Sequence, residues 1–348
     1  MPAKKAPRKK RYQKKEVKLP FSRFIPKNNP IILAPTHVDI IDSNFDDENA
    51  LFLERLRIAL SNSNEVTISF KETKSLKATA LLVIYSFVDT SKKGKKINVV
   101  YSDKSEVVNR NIKSSGDFKS SEDRLTMLDD KLSPVIQGNN SIVIALSRKI
   151  HANLVELYLD KDDDDFTNRS RELGVAIMET LDNVGRHAYP EEPHECKHWW
   201  FCCDMIDDKL FMAIYDKGVG IPYSIKNSEI DFMKIIESYY MVTGDDLSKL
   251  PPTLTADTRR FASSYSDEAL IRAAMSENLS KTTKDKHGKG SGSIKALIKN
   301  EKDSFLFISS GRGLYYYSKH NEEYEAGDIE EVHSLHNSID GTLIQWSL

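Results

Sequence analysis

The sequence predicts a mixed α/β fold in two parts, an α/β unit in the N-terminal half and a second unit of strands and helices in the C-terminal half. Three observations lead there. The hydrophobic period switches repeatedly between two and about 3.6 residues, so strands and helices alternate along the chain. At 348 residues the chain is longer than one typical domain of about 150 residues. Apolar residues at 39% and charged residues at 29% supply a core and a water-compatible surface together.

Residues 1–29 are set apart as a basic flexible arm. Residues 1–18 hold nine Lys or Arg against one acid, Glu16, which leaves the remainder at −10 within a net charge of −2. The arm has too few apolar residues to fold alone. It serves either as a solubilising tail or as a salt-sensitive contact to nucleic acid phosphates.

Residues 30–140 follow as one unit with a connector. Ile31–Ala34 and Val38–Ile41 are short strand-type runs. A helix from Asp46 carries Leu51, Phe52, Leu56, Ala59 and Leu60 at helical spacing. Val66, Ile68 and Phe70 alternate as a strand, Leu76, Ala80, Val83, Ile84 and Phe87 recur as a helix, and Ile97, Val99 and Tyr101 alternate again. Strand, helix, strand with short links is a βαβ unit, which implies parallel strands. Residues 103–140 suggest a helix or two with loops, and the runs at Ile142–Ile144 and Leu154–Leu159 suggest strands.

Several function classes drop out. Fifteen Gly, 12 Pro and 3 Cys exclude collagen-like and disulfide-framework proteins. The longest nearly apolar run, Ala78–Val88, has 11 residues, against the ~20 that a membrane-crossing helix needs. No apolar segment follows the basic N-terminus, so the expectation is a cytoplasmic protein with no membrane contact.

The chemistry concentrates in residues 141–348. Asn168 or Ser170 can cap a helix from about Arg171 to Ala188, with Leu173, Ala176, Ile177, Leu181 and Val184 on its buried face. Glu179 and Asn183 lie four apart and project from one side. A carboxylate there can polarise water, and a carboxamide oxygen can ligate Mg²⁺. Two strands, Trp199–Met205 and Lys209–Tyr215, then lead into Asp216-Lys217-Gly218-Val219-Gly220. Such a loop lets backbone pass close to a flat ring while the Asp accepts from an amino group. Later His287-Gly288-Lys289-Gly290-Ser291-Gly292 runs into a helix, a phosphate cradle by its free N–H groups and dipole. Gly341-Thr342 opens a final strand.

In this order the four segments resemble the GHKL (Bergerat-fold) ATP-binding domain, and the resemblance implies an α+β sandwich for residues 141–348. Glu179 and Asn183 match its N box, Asp216-x-Gly218-x-Gly220 its G1 box, and Gly288–Gly292 its G2 box; Thr342 sits where a late-strand Thr reaches adenine. The string from Glu179 to Tyr189 is most similar to that of anti-sigma-factor serine kinases. The resemblance implies ATP and Mg²⁺ as cofactors, Glu179 as general base, Asn183 as Mg²⁺ ligand and Asp216 as reader of the adenine amino group. It also implies that Gly218 and Gly220 flank the base, that residues 287–292 close over the phosphates, and that the basic stretch Lys281–Lys295 lies by the triphosphate. The long segment 223–286, with helices expected at Glu229–Met241 and Asp267–Leu279, implies a lid. The expected function is an ATP-driven switch acting on a protein partner or on a second copy in a homodimer. A protein-serine kinase and a nucleotide-sensing adaptor that binds nucleic acid through residues 1–18 are the alternatives.

Residues 65–82 are similar to a STAS-like domain. That resemblance makes Ser75 a phosphoacceptor candidate, whereas local pattern makes it a helix N-cap. The run Asp162–Asp165 is a solvated helix start more than a metal site. His194, Cys196, His198, Cys202 and Cys203 fit no common zinc spacing, and the two adjacent cysteines suit a core strand. His187 suits a helix end. Tyr315–Tyr317 belong to a strand, with an aromatic platform for single-stranded nucleic acid as the other reading.

Overall fold

A computed structural model of the chain describes residues 29–41, 47–91, 94–130, 133–206, 209–227, 265–275, 290–299, 304–318 and 329–348. The basic arm up to residue 28, the expected helix Glu229–Met241, and His287, Gly288 and Lys289 lie outside the described residues.

The N-terminal half is built as its βαβ pattern requires. Strands β1 (Ile31–Leu33), β3 (Glu65–Ser69) and β5 (Lys96–Val100) form a parallel sheet in the order β1-β3-β5. Helices α1 (Asp47–Asn62) and α2 (Ala78–Asp89) make the crossovers. A short parallel pair joins β2 (His37–Val38) to β4 (Ser75–Leu76). Register puts Ile32, Ile68 and Val99 on the inner face, whereas Ile31 and Leu33 point outward. Two helices, α3 (Glu106–Ser114) and α4 (Ser121–Met127), complete the connector; Ser105 and Ser120 cap them through their side chains.

Ser75 is not the helix N-cap that the local pattern suggests. It lies in β4 opposite His37, two residues before the N-cap Lys77, which makes no side-chain cap bond. Helix α2 draws its stability from burial instead. All eight residues from Thr79 to Ser86 are buried, and a helix apolar on every side belongs inside a core.

What buries it is a second sheet. Strands β6 (Ile136–Asn139), β7 (His198–Ile206), β8 (Lys209–Asp216), β9 (Phe305–Ser318) and β10 (Ile329–Ser347) run antiparallel in the order β6-β7-β8-β10-β9. Successive residues alternate faces, and here both faces are covered. Trp200, Cys202, Ala213, Tyr215 and Leu343 join the core of the N-terminal half, and α2 packs on β7 and β8. Trp199, Phe201, Cys203, Met212, Ile214 and Trp346 face the helices α5 (Val143–Tyr158), α6 (Phe166–Asn183), α8 (Asp267–Met275) and α9 (Gly290–Lys299). The short α7 (Ile221–Lys226) follows β8 and packs on α8. Cys202 and Cys203 therefore enter two different cores.

Three expectations change. The apolar runs at 142–144 and 154–159 fold as the single helix α5, whose buried residues Leu146, Ser147, Ile150 and Leu154 repeat at helical spacing. Runs this short cannot separate strand from helix by period. Helix α6 starts at Phe166, ahead of the predicted caps, while Asp163 accepts from the Asp165 N–H and pairs with Arg169 at 2.9 Å. The last strand is also longer than expected. It begins at Ile329 and reaches Gly341 only after two register shifts.

One buried ion pair inside the N-terminal half reaches the antiparallel sheet through Trp200. The Arg124 guanidinium, fully buried, forms a two-pronged contact with Asp89 at 3.1 and 2.6 Å and donates to the carbonyls of Val135 and Lys119 at 2.7 Å. Asp89 also accepts from Trp200 Nε1 at 2.8 Å. Gly116 is required beside it, since a Cβ there would stand 2.5 Å from Arg124 Cδ. Removing one partner of a buried pair strands the other. Asp89→Ala should cost about 3–5 kcal/mol, and Asp89→Leu combined with Arg124→Met should cost less than Asp89→Ala alone. Urea unfolding followed by both tryptophan fluorescence and circular dichroism checks this, with coincident midpoints expected because the two halves share one core.

Candidate functional site

Helix α6 carries Glu179 and Asn183 on a half-buried stripe. Directly after Asn183 the chain widens into one turn of π-helix, Val184–Ala188, a form frequent at functional positions. The Gly185 carbonyl, left free by that turn, accepts from the buried Lys197 ammonium at 2.5 Å. A cation on the last carbonyls of a helix is favoured by the dipole.

The π turn delivers α6 onto the Asp216 loop. The Ala188 carbonyl accepts from Val219 N at 2.8 Å, and Gly218 is the residue that permits this approach, because a Cβ there would stand 2.2 Å from the same oxygen. Tyr189 Oη accepts from Lys217 N at 2.9 Å and donates to the His198 carbonyl at 2.8 Å. Burial, together with the Asp216 charge, raises its hydroxyl pKa.

Asp216 ends β8, in register with Trp199 of β7 and Thr342 of β10. Its side chain is buried and accepts from Gly218 N at 2.8 Å. Burial pushes the carboxyl up from 3.8 to about 7, against the pull of backbone hydrogen bonds from Gly218 and Thr342. Gly341 sits at φ +78° with its Cα against Asp216, where a Cβ would meet the Asp216 carbonyl oxygen at 1.9 Å. Ser310 ties the strand ends together. Its hydroxyl donates to the Gly341 carbonyl at 2.7 Å, accepts from Ile221 N at 2.9 Å and lies 3.3 Å from Thr342 Oγ1. Gly220, at φ +81°, is the turn residue leading into α7.

The structure thus brings Asp216, Gly218, Gly220 and Thr342 into one bonded cluster, joined through residues 184–188 to the end of α6 that bears Asn183, with Glu179 one turn earlier. Of the glycine-rich segment, Gly290, Ser291 and Gly292 form the first turn of α9, which packs along α6. Lys295 is turned away from solvent. Its ammonium pairs with Glu330 at 3.0 Å and lies over the rings of Tyr317 and Tyr315. Tyr315 and Tyr317 are buried, which removes them as a platform for nucleic acid. Within 223–286 the described helix α8 docks on β9: Asp267 accepts from Arg312 N at 3.0 Å, and Arg272 lies 3.7 Å from Glu330. Ser310, Tyr189 and Lys197 join the site without having been singled out from sequence.

The described site is rich in acceptors, which suits hydrogen-bond donors and cations. Asp216 is a buried acceptor beside a hydroxyl and two glycines. Glu179 and Asn183 offer a carboxylate and a neutral oxygen. Among the described residues no three His, Cys, Asp or Glu side chains converge on one metal position, so a cation at Asn183 would complete its shell with ligand oxygens and water. Comparison with known protein families, with curated proteins and with solved structures gives no match to this chain.

The raised carboxyl of Asp216 has a pH consequence. Between its ordinary pKa of 3.8 and its folded value of about 7, the folded state binds the proton that the unfolded state has lost. Stability therefore falls as pH rises through that window. Asp216→Asn, which carries no charge at any pH, should match wild type near pH 4 and exceed it in Tm at pH 8. Thermal unfolding across that range checks the convergence; parallel curves for the two proteins would contradict it.

Proposed function

We propose that residues 141–348 bind ATP with Mg²⁺ and hydrolyse it slowly, as a switch whose nucleotide state alters contacts with a protein partner or a second copy. The observation that carries this reading is the bonded junction of the two motifs, in which the end of α6 that bears Asn183 is latched through Ala188 and Tyr189 to the loop that bears the buried Asp216. A purine amino group and a magnesium-bound phosphate chain are the two ends of one molecule, and this junction links an acceptor for the first to an oxygen ligand for the second. An antiparallel sheet with α6 and α9 side by side on one face supports the same reading.

Each residue then has a task. Asp216 accepts from the adenine amino group while Thr342 and Ser310 hold the strand end beside it. Gly218 and Gly220 keep the loop thin enough for the ring to lie against backbone. Asn183 supplies one ligand to Mg²⁺, and Glu179, one turn back, orients and deprotonates the attacking water or hydroxyl. The first turn of α9 presents N–H groups to the phosphates.

Titration with labelled ATP tests the reading. Wild type should bind ATP with Mg²⁺, and Asp216→Asn should weaken binding by tenfold or more, equivalent to about 1.4 kcal/mol. Affinity should rise with pH toward 7, because the ligand's amino group favours the charged carboxylate. Glu179→Ala should keep binding but lower phosphate release by about 100-fold. Label that moves to a protein Ser or Thr would identify a kinase, and equal binding by wild type and Asp216→Asn would remove the proposal.

A further inference from the structure

Lys217 stands between Asp216 and Gly218, and its backbone and side chain face different partners. The backbone N–H is fixed to Tyr189 Oη inside the candidate site. The side chain crosses to the N-terminal half, where Nζ donates to Thr90 Oγ1 at 3.1 Å and lies 4.7 Å from the centre of the Phe87 ring. Both contacts fall on the last turn of α2 and its C-cap. Between them in sequence is Asp89, clamped by Arg124 and by Trp200 Nε1.

The last turn of α2 thus holds two contacts of opposite character. The clamp at Asp89 is almost fully buried, at 0% and 4% exposure for the pair, and acts as a pivot. Thr90, one residue on, is exposed, and its contact with Lys217 can shift at small cost. A displacement of Lys217 would reach Thr90 and Phe87 directly, with Asp89 beside them held by Arg124 and Trp200. Coupling of this kind needs an element that both sites bias, and the C-terminal turn of α2 touches both the loop lysine and the buried clamp.

We propose that the turn Phe87–Thr90 is the surface that receives the nucleotide signal, that Lys217 is the contact that transmits it, and that the first partner of the nucleotide-binding unit is therefore the N-terminal half of the same chain. This rests on the reading of residues 141–348 as an ATP-binding unit, and the experiment separates the two. Hydrogen exchange of the full chain is measured with and without ATP and Mg²⁺, beside labelled-ATP titration of the same samples.

In wild type, ATP should change exchange at the amides of residues 87–91 by about fivefold or more, the lower end of ordinary coupling. The variant Thr90→Val/Phe87→Leu removes the Thr90 hydroxyl and the Phe87 ring from the contact with Lys217. It should bind ATP within about threefold of wild type and lose the exchange response. Thr90→Val alone, at an exposed position, should show a reduced response and guards against misfolding of the double variant. Wild type that binds ATP with no change at 87–91, or a double variant that keeps the full change, overturns the coupling and leaves the ATP reading standing. Failure of wild type to bind ATP overturns both.

Discussion

Eight consecutive buried residues of α2, Thr79 to Ser86, make this helix common property of two sheets. It is the crossover of a parallel βαβ unit, and it also covers β7 and β8 of the antiparallel sheet. Neither half can expose it without losing core, because residues such as Trp200 and Tyr215 pack with Ile84 and Leu82 in one cluster. The Asp89–Arg124 pair sits at its end, where a buried charge needs full hydrogen bonding to be tolerated. The antiparallel sheet consequently has no solvent face along its central strands.

That double coverage shapes the candidate site. Asp216 ends a strand buried on both sides, so its carboxyl is desolvated and its pKa raised. An acceptor in such a place interacts strongly with any donor that reaches it, since little water competes. The backbone around it is drawn in by glycines. Gly341 lies against the Asp216 carbonyl, Gly218 against that of Ala188, and a side chain at either position would push the motifs apart. The lysine within the loop then reaches the end of α2, which closes a path from the core helix to the site and back.

Much of this was legible in the sequence for a physical reason. The strands 198–206 and 209–216 stand out because burial on both faces leaves them nearly continuous in apolar residues, and the βαβ order of residues 31–100 follows from alternating periods. The pairing of Glu179 with Asn183, and the Asp216-x-Gly-x-Gly loop, were visible as spacing. Other features were not. Helix α5 was hidden because its apolar residues come in short clusters that fit either period. Ser75 resembles a cap only until α2 is seen to need none. Tyr189, Lys197 and Ser310 act through hydrogen bonds to backbone atoms brought near by the fold, at separations of 9 to 89 residues among the bonds that hold the site. No local pattern announces such bonds.

The central claim is that a purine nucleotide spans from Asp216 to Asn183 across the junction held by Ala188. A crystal structure of the full chain with Mg²⁺ and a non-hydrolysable ATP analogue tests it most directly. The expected result is the adenine amino group within about 3 Å of the Asp216 carboxylate and Mg²⁺ bound to the Asn183 oxygen. A fully occupied analogue bound elsewhere, with Asp216 still held only by the backbone of Gly218 and Thr342, would contradict it.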